Sequence, residues 1–305
     1  MRVVFYGSGA FGLPSLSWLH EHHEVVQVVT QPDRPAGRGR KTTPTPIAAY
    51  AREHGLTNLA VENVSKPETC EQLSAIDASA MVVIAFGQKI PLSLRESCFS
   101  CNLHASLLPR FRGAAPINRA VMAQDAMIGL SVISLAERID AGDVYQQVAW
   151  PLDPTRTAGE IHDMLANRGP TPIETVLRQF SEGTLQGQSQ DETKVTFAAK
   201  LSRDDGHIDF RGTASEIRAH IHGVTPWPGA RAQLGGRTCK LGRVEIVDRD
   251  EVGLKAGQLR QDLAIQCNTG AVRPIEIQPA GSRMMDYEAF CHGTSLTVGE
   301  PCQVA

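Results

Sequence analysis

C-N-L-H-A-S-L-L-P-R-F-R-G-A-A-P-I, Cys101 to Ile117, decides how this chain is read, together with I-D-A-G-D, Ile139 to Asp143, farther along. Asn102 and His104 stand two apart at the end of an apolar run. If that run is a strand, side chains at i and i+2 share a face, so one amide and one imidazole line one wall. Pro109 and Gly113 then turn the chain, and Pro116 suits the first turn of a helix. That sequence of events leaves Asn102 and His104 at a strand-to-loop mouth, where open α/β sheets keep their ligands. Asp140 arrives from a second strand end. A carboxylate, an imidazole and a carboxamide together fit a transfer reaction at a carbonyl. The amide N–H and a protonated His donate to an oxygen that becomes negative, while Asp orients the imidazole, holds its charge or accepts a proton from an attacking amine. Each residue alone reads more readily as a cap or turn residue; their convergence with a Pro- and Gly-rich loop reverses that balance in favour of a catalytic set.

Outward from this stretch, strands alternate with helices. Arg2 to Tyr6 and Val25 to Val29 read as strands, and Ala80 to Ala85 as a strand covered on both faces. Ile128 to Leu135 and Val144 to Trp150 read as two more. Helices are predicted at Pro46 to His54, Pro67 to Ile76 and Ile117 to Ala123, and across Thr157 to Phe180 with a break at Gly169 to Pro172. This is an α/β pattern, a Rossmann-like, doubly wound, mostly parallel sheet. Gly7-Ser-Gly-Ala-Phe-Gly12 has the spacing of a dinucleotide fingerprint, but no acid closes the second strand, which ends in Thr30-Gln31-Pro32. The glycines read as a tight strand-to-helix turn.

The texture changes after a polar stretch, Ser189 to Asp205, taken as a linker. A short helix, Thr213 to His222, and the Pro226-Trp-Pro-Gly229 turn precede alternating segments at Ala230 to Leu234, Thr238 to Val247, Gln258 to Leu259, Ala264 to Asn268 and Ala271 to Gln278. Such spacing suggests a small β-barrel. The expected division is a catalytic domain over 1–188, a linker over 189–205 and a barrel domain over 206–305.

At 305 residues the chain exceeds one typical domain. A formal charge of −3 argues against nucleic-acid binding through bulk positive charge, so any such surface must be local. One local surface is Asp33-Arg-Pro-Ala-Gly-Arg-Gly-Arg-Lys41, with Arg34, Arg38, Arg40 and Lys41 among Gly and Pro; it reads as a phosphate-gripping loop or as a mobile surface loop. Seven cysteines, no secretory signal and no run of membrane-spanning length suggest a reduced, cytoplasmic protein with no membrane association. Cys98 and Cys101 have C-x-x-C spacing, yet a structural zinc site needs four ligands and no second close pair exists, so no metal is expected. His20, His22 and His23 read as caps on a helix end.

These motifs resemble the folate-dependent formyltransferases, and more closely the branch that acts on methionyl-tRNA. The resemblance rests on N-L-H-A-S-L-L-P-R-F-R-G-A-A-P-I with I-D-A-G-D and extends to Thr30–Lys41, Ala85–Pro91, Gln190–Leu201 and Thr225–Gly229. It weakens after about Lys240. It implies transfer of the formyl group of 10-formyltetrahydrofolate, a co-substrate, to the amine of charged initiator tRNA, giving formylmethionyl-tRNA for translation initiation. It implies catalysis by Asn102, His104 and Asp140, and folate contacts from Phe86, Gly87, Gln88, Ser106, Leu107, Leu108, Pro109 and Asp140. It also implies an OB-like barrel and a basic loop, Arg34, Arg38, Arg40 and Lys41, that enters the acceptor stem. The protein is expected to act as a monomer. In that family a Thr-Pro pair follows the first Gly, so Ser8-Gly9 is a departure. Two alternatives stay open: a formyltransferase acting on glycinamide ribonucleotide or an amino-sugar nucleotide, and a tRNA- or folate-binding protein without catalysis.

Overall fold

The computed structural model describes every residue except 37–40, 250, 252, 304 and 305. Its chain falls into two compact units, the first built from Met1–Gly113, Gly129–Trp150 and His162–Phe197, the second from Ala114–Ile128, Pro151–Ile161 and Ala198–Ala305.

In the first unit, apolar runs too short for helices become the strands β1 (Arg2–Gly7), β2 (Glu24–Thr30) and, after the short antiparallel pair β3 (Arg34–Ala36) and β4 (Lys41–Thr43), β5 (Asn58–Ala60). β6 (Ala80–Ile84) is buried at every position, as a strand covered on both faces must be. β7 (Phe99–His104) ends in the catalytic candidates, and the two-residue β8 (Arg112–Gly113) follows; β9 (Met127–Ser134) and β10 (Val144–Pro151) complete the set. The main sheet has the order β10-β9-β7-β6-β1-β2-β5. β5, β2, β1, β6 and β7 run parallel, and β9 runs antiparallel to β7.

Helices supply the crossovers. α1 (Leu13–His22) packs against α2 (Pro46–Glu53) and α7 (Pro170–Ser181), while α3 (Pro67–Ser74) packs against α4 (Leu92–Arg95). α2 starts where it does because Thr45 accepts a hydrogen bond from Ala48 N at 3.2 Å and Pro46 fills the first helical position. The predicted break in the long helical stretch narrows to Gly169, since Pro170 reopens a helix directly behind α6 (Ala158–Arg168). β1 and β6 are neighbours, but the chain leaves them toward opposite edges of the sheet, β1 to β2 and β6 to β7. Their carboxyl ends therefore flank the crevice at which such sheets bind ligands.

The second unit contains α5 (Pro116–Met122), packed against α8 (Ala214–Gly223), whose amino end is a reciprocal capping box between Thr213 and Glu216. Past β11 (Phe197–Ala198), its strands form two antiparallel sheets. β12 (Ala230–Leu234), β13 (Arg237–Leu241), β17 (Glu276–Pro279) and β18 (Met285–Asp286) make one, and β14 (Val244–Val247), β16 (Ala271–Pro274) and β15 (Ile265–Gln266) the other. Two expected single strands, Thr238 to Val247 and Ala271 to Gln278, each divide: β13 passes into β14 at Gly242-Arg243, and β16 into β17 at Ile275. Each half serves a different sheet, which is how a barrel turns its corners. β18 and α9 (Tyr287–His292) were not foreseen. Ile208, Phe210, Ile217, Ile221, Leu241 and Val272 pack the interior.

Candidate active site

Asn102 and His104 do share a face at the carboxyl end of β7, and Asp140 approaches from the loop after β9. His104 is 6% exposed, so its polar atoms need partners. Its Nε2–H donates to Phe111 O at 2.9 Å. A carbonyl can only accept, so Nε2 holds a proton and Nδ1 is the nitrogen left for chemistry. Nδ1 lies 3.5 Å from Asp140 Oδ2. Oδ2 also accepts from Gly113 N at 2.9 Å, leaving Oδ1 as the second carboxylate oxygen. The half-buried Asn102 carboxamide makes no hydrogen bond to any described residue. The structure thus brings the His104 imidazole and the Asp140 carboxylate together, with Asn102 two residues before His104 on the same face of β7, a set of groups suited to an attack on a carbonyl by an amine.

The loop between these residues is held on several sides. Ser131 Oγ donates to Ser106 O at 2.6 Å and accepts from Leu108 N and from Gln147 Nε2. Gln147 Nε2 also donates to Leu108 O at 2.8 Å, and Ser106 Oγ to Arg110 O at 2.7 Å. Leu108-Pro109 is a cis peptide, and Arg110 N returns to Leu107 O. Gly142, in I-D-A-G-D, has no room for a Cβ, which would overlap Ser134 O. The 189–205 stretch also reaches the site. Gln190 Nε2 donates to Asp140 O at 2.8 Å and to Gly142 O at 2.7 Å. Arg112, 3% exposed, donates to Gln190 Oε1 and to Glu192. The Arg112 guanidinium, helped by Arg138, holds the Glu192 carboxyl below its usual range.

The expected folate loop lies at the β1/β6 crevice, after β6. Phe86 is buried at 2% exposure against Tyr6, so only its backbone faces outward, and that carbonyl accepts from Gln31 Nε2 at 2.8 Å. Gly87 has φ +79, a conformation that disfavours a side chain. The Gln88 carboxamide is tied to Val64 N and Val61 O, so its side chain shapes the neighbouring loop. Lys89 and Arg95 both bond Glu137, joining this loop to the chain before Asp140.

The basic loop leaves the carboxyl end of β2, the same edge of the parallel sheet as Asn102 and His104. Its base is fixed: Arg34 Nη2 donates to Gln31 Oε1 at 3.2 Å, and Arg52 grips Asp33 at 2.9 Å. Arg34 is exposed and the backbone of Lys41 pairs with Ala36, while Arg38 and Arg40 lie outside the described residues. In the Gly7–Gly12 turn, Ser8 Oγ accepts from Gln31 N at 2.9 Å, so the Ser8 departure has a structural use. A Cβ at Gly7 would meet the Phe5 ring at 2.6 Å, which makes this glycine a packing requirement. Thr30, which ends β2, bonds Asn58.

Cys101 is fully buried and its thiol is pushed up to about 12 by burial, the opposite of a ligand or nucleophile. Among the described residues no group of three or more His, Cys, Asp and Glu is placed to hold a metal ion. Among them, too, no helix is long and apolar enough to cross a membrane. His22 bonds Trp18 O and stacks on the Trp18 ring at the end of α1. Reading the sequence missed Ser131, Gln147, Gln190 and Arg112 as parts of the site. The one signal was that Gln190 and Arg112 fall inside the stretches that carry the family resemblance.

Residues 1–177 match the family described as Formyl transferase, and residues 200–295 match Formyl transferase, C-terminal domain. A sugar 3N-formyl transferase, WlaRD, solved with dTDP and 5-N-formyl-THF, has a similar fold with a TM-score of 0.70 at 14% identity, covering 93% of this chain and 99% of that one. A methionyl-tRNA formyltransferase of Nitrobacter winogradskyi is 38% identical over 97% of this chain and 98% of its own. One of Bradyrhizobium diazoefficiens is also 38% identical, over 98% of each. Identity of that level across both units is kinship in the whole chain and not in a shared fold alone, and on that ground the chain belongs to the methionyl-tRNA formyltransferase family.

Proposed function

We propose that this protein transfers the formyl group of 10-formyltetrahydrofolate to the free α-amine of methionyl initiator tRNA, producing formylmethionyl-tRNA for translation initiation. The observation that carries the reading is the placement of His104 Nδ1 at 3.5 Å from Asp140 with Nε2 already committed to Phe111 O. The neutral amine attacks the formyl carbonyl. Asn102 Nδ2–H and His104 Nδ1–H stabilise the oxygen as it becomes negative, and the Asp140 carboxylate supports the imidazolium. Asp140 Oδ1 receives the amine proton, directly or through water, and that proton passes to the folate nitrogen, which leaves as a neutral amine when the tetrahedral intermediate collapses.

Folate lies against Phe86, Gly87 and Gln88 through backbone groups and against Ser106, Leu107, Leu108 and Pro109, with Asp140 at the formyl end. Arg34, Arg38, Arg40 and Lys41 hold the acceptor stem through its phosphates. The catalytic domain is residues 1–188 and the OB-like tRNA-binding domain 206–305, joined by 189–205. The enzyme works as a monomer in the cytoplasm and uses no metal. The test is transfer from 10-formyltetrahydrofolate to a panel of acceptors: methionyl-tRNA, glycinamide ribonucleotide and an amino-sugar nucleotide. Product on methionyl-tRNA alone is expected. Faster transfer to either small acceptor, or none to any, overturns the reading.

A further inference from the structure

Asp140 has φ +54, in the left-handed region that Asp enters more readily than most residues but that still has to be held in place. Its surroundings are unusually specific. Gln190 Nε2 donates to the carbonyls of Asp140 and Gly142, at 2.8 and 2.7 Å, so one amide group clamps the turn at both ends. Gln190 cannot rotate away, because its Oε1 accepts from Arg112 Nε at 3.0 Å and Nη2 at 2.8 Å. That pairing also settles which end of the carboxamide faces the turn, since Arg only donates. Arg112 in turn is buried and anchored by Glu192 at 2.8 Å. Its neighbour Gly113 supplies the N–H on Asp140 Oδ2, and its other neighbour, Phe111, supplies the carbonyl that fixes His104. Three consecutive residues thus hold the imidazole, the carboxylate and, through Gln190, the backbone that carries the carboxylate.

We infer that Gln190 is a positioning residue for formyl transfer, acting through Asp140: its N–H groups, locked in orientation by Arg112, keep the 140–142 turn in the one conformation that aims the carboxylate at His104 Nδ1. This inference rests on the proposed function. A displacement of the carboxylate by about 1 Å is enough to cost on the order of a hundredfold in rate.

The experiment uses the full-length enzyme with 10-formyltetrahydrofolate and methionyl-tRNA. Gln190→Glu keeps an acceptor for Arg112 but turns oxygens toward the Asp140 and Gly142 carbonyls. Its kcat is expected to fall about 10–100-fold, with KM for the charged tRNA within about twofold of wild type. In an Asp140→Asn background the same change is expected to add less than about twofold, because the group being positioned is already gone. Full-rate turnover by Gln190→Glu, or losses that multiply in the double variant, overturns the inference. Should Gln190→Glu not fold, Arg112→Lys, which keeps charge for Glu192 but loses the fork on Gln190, provides the same cycle, read in the same way. A wild-type enzyme inactive on methionyl-tRNA sinks the functional reading itself, whereas an active wild type with a fully active Gln190→Glu sinks this inference alone.

Discussion

The loop after β7 and the basic loop after β2 leave the same edge of one sheet, yet their described residues are held in different ways. The first is bonded to Ser131, Gln147 and Thr196 along its length, and its far end meets both His104, through Phe111 O, and Asp140, through Gly113 N. The second, over its described residues, is fastened by Gln31 on Arg34 and by the Asp33–Arg52 pair at its base and pairs with itself through β3 and β4. The difference fits the tasks proposed for them. Stabilising an oxyanion requires donors that are already aimed before the reaction, so that little reorganisation is needed as charge develops. Gripping a phosphate backbone requires charge and reach, and tolerates imprecision because its attraction falls off gradually.

The largest test of this contrast is removal of a group from the aimed loop. His104→Ala is expected to lower kcat by roughly a hundred- to ten-thousand-fold, and Asn102→Ala by about a hundred- to a thousandfold, with folate affinity, measured by direct titration, within a few fold of wild type. A change confined to KM for folate would move both residues from chemistry to binding. Next in size is Arg38→Ala in the reaching loop. KM for the charged tRNA should rise about tenfold and the slope of log affinity against log salt flatten by about one unit, with folate binding unchanged. Comparing transfer to methionyl-tRNA with transfer to a small amine separates the two tasks, because an equal fall on both would assign Arg38 to the fold or the folate site. The smallest effect belongs to Arg52→Ala, which opens a half-exposed pair at the base of the basic loop. A rise of less than about threefold in the same KM is expected, since such pairs contribute little; a loss as large as that of Arg38→Ala would mean that the loop depends on a rigid base.

What could be read in advance divides along physical lines. The longer strands on the catalytic side were legible because buried parallel strands such as β6 are continuous apolar runs, whereas the three-residue strands β3, β4 and β5 are too short to show a pattern. The pairing of Asn102 with His104 was legible because strand periodicity is strict. Gln190 was not, because a side chain that bonds to backbone carbonyls leaves no periodic trace, and its polar surroundings resembled a connector. Ser131 and Gln147 were passed over for a related reason: in an apolar strand a polar residue reads as filler until its partners are known. The corners at Gly242-Arg243 and Ile275 escaped because a strand that changes sheets keeps its alternation through the bend.

Arg34 and Thr43 stand opposite each other as strand partners at the open end of the basic hairpin. The excursion of the chain between them therefore begins and ends across a single ladder rung, about 5 Å. Whatever is inserted between those two residues, or cut away, need not alter the spacing of β2 and α2 or the atoms around His104. On the role proposed for this loop, acceptor preference is a replaceable cartridge on an unchanged formyl-transfer engine: a designer could shorten the excursion to a two-residue turn, or graft another anion-binding loop into it, and ask whether the same chemistry then reaches a different amine.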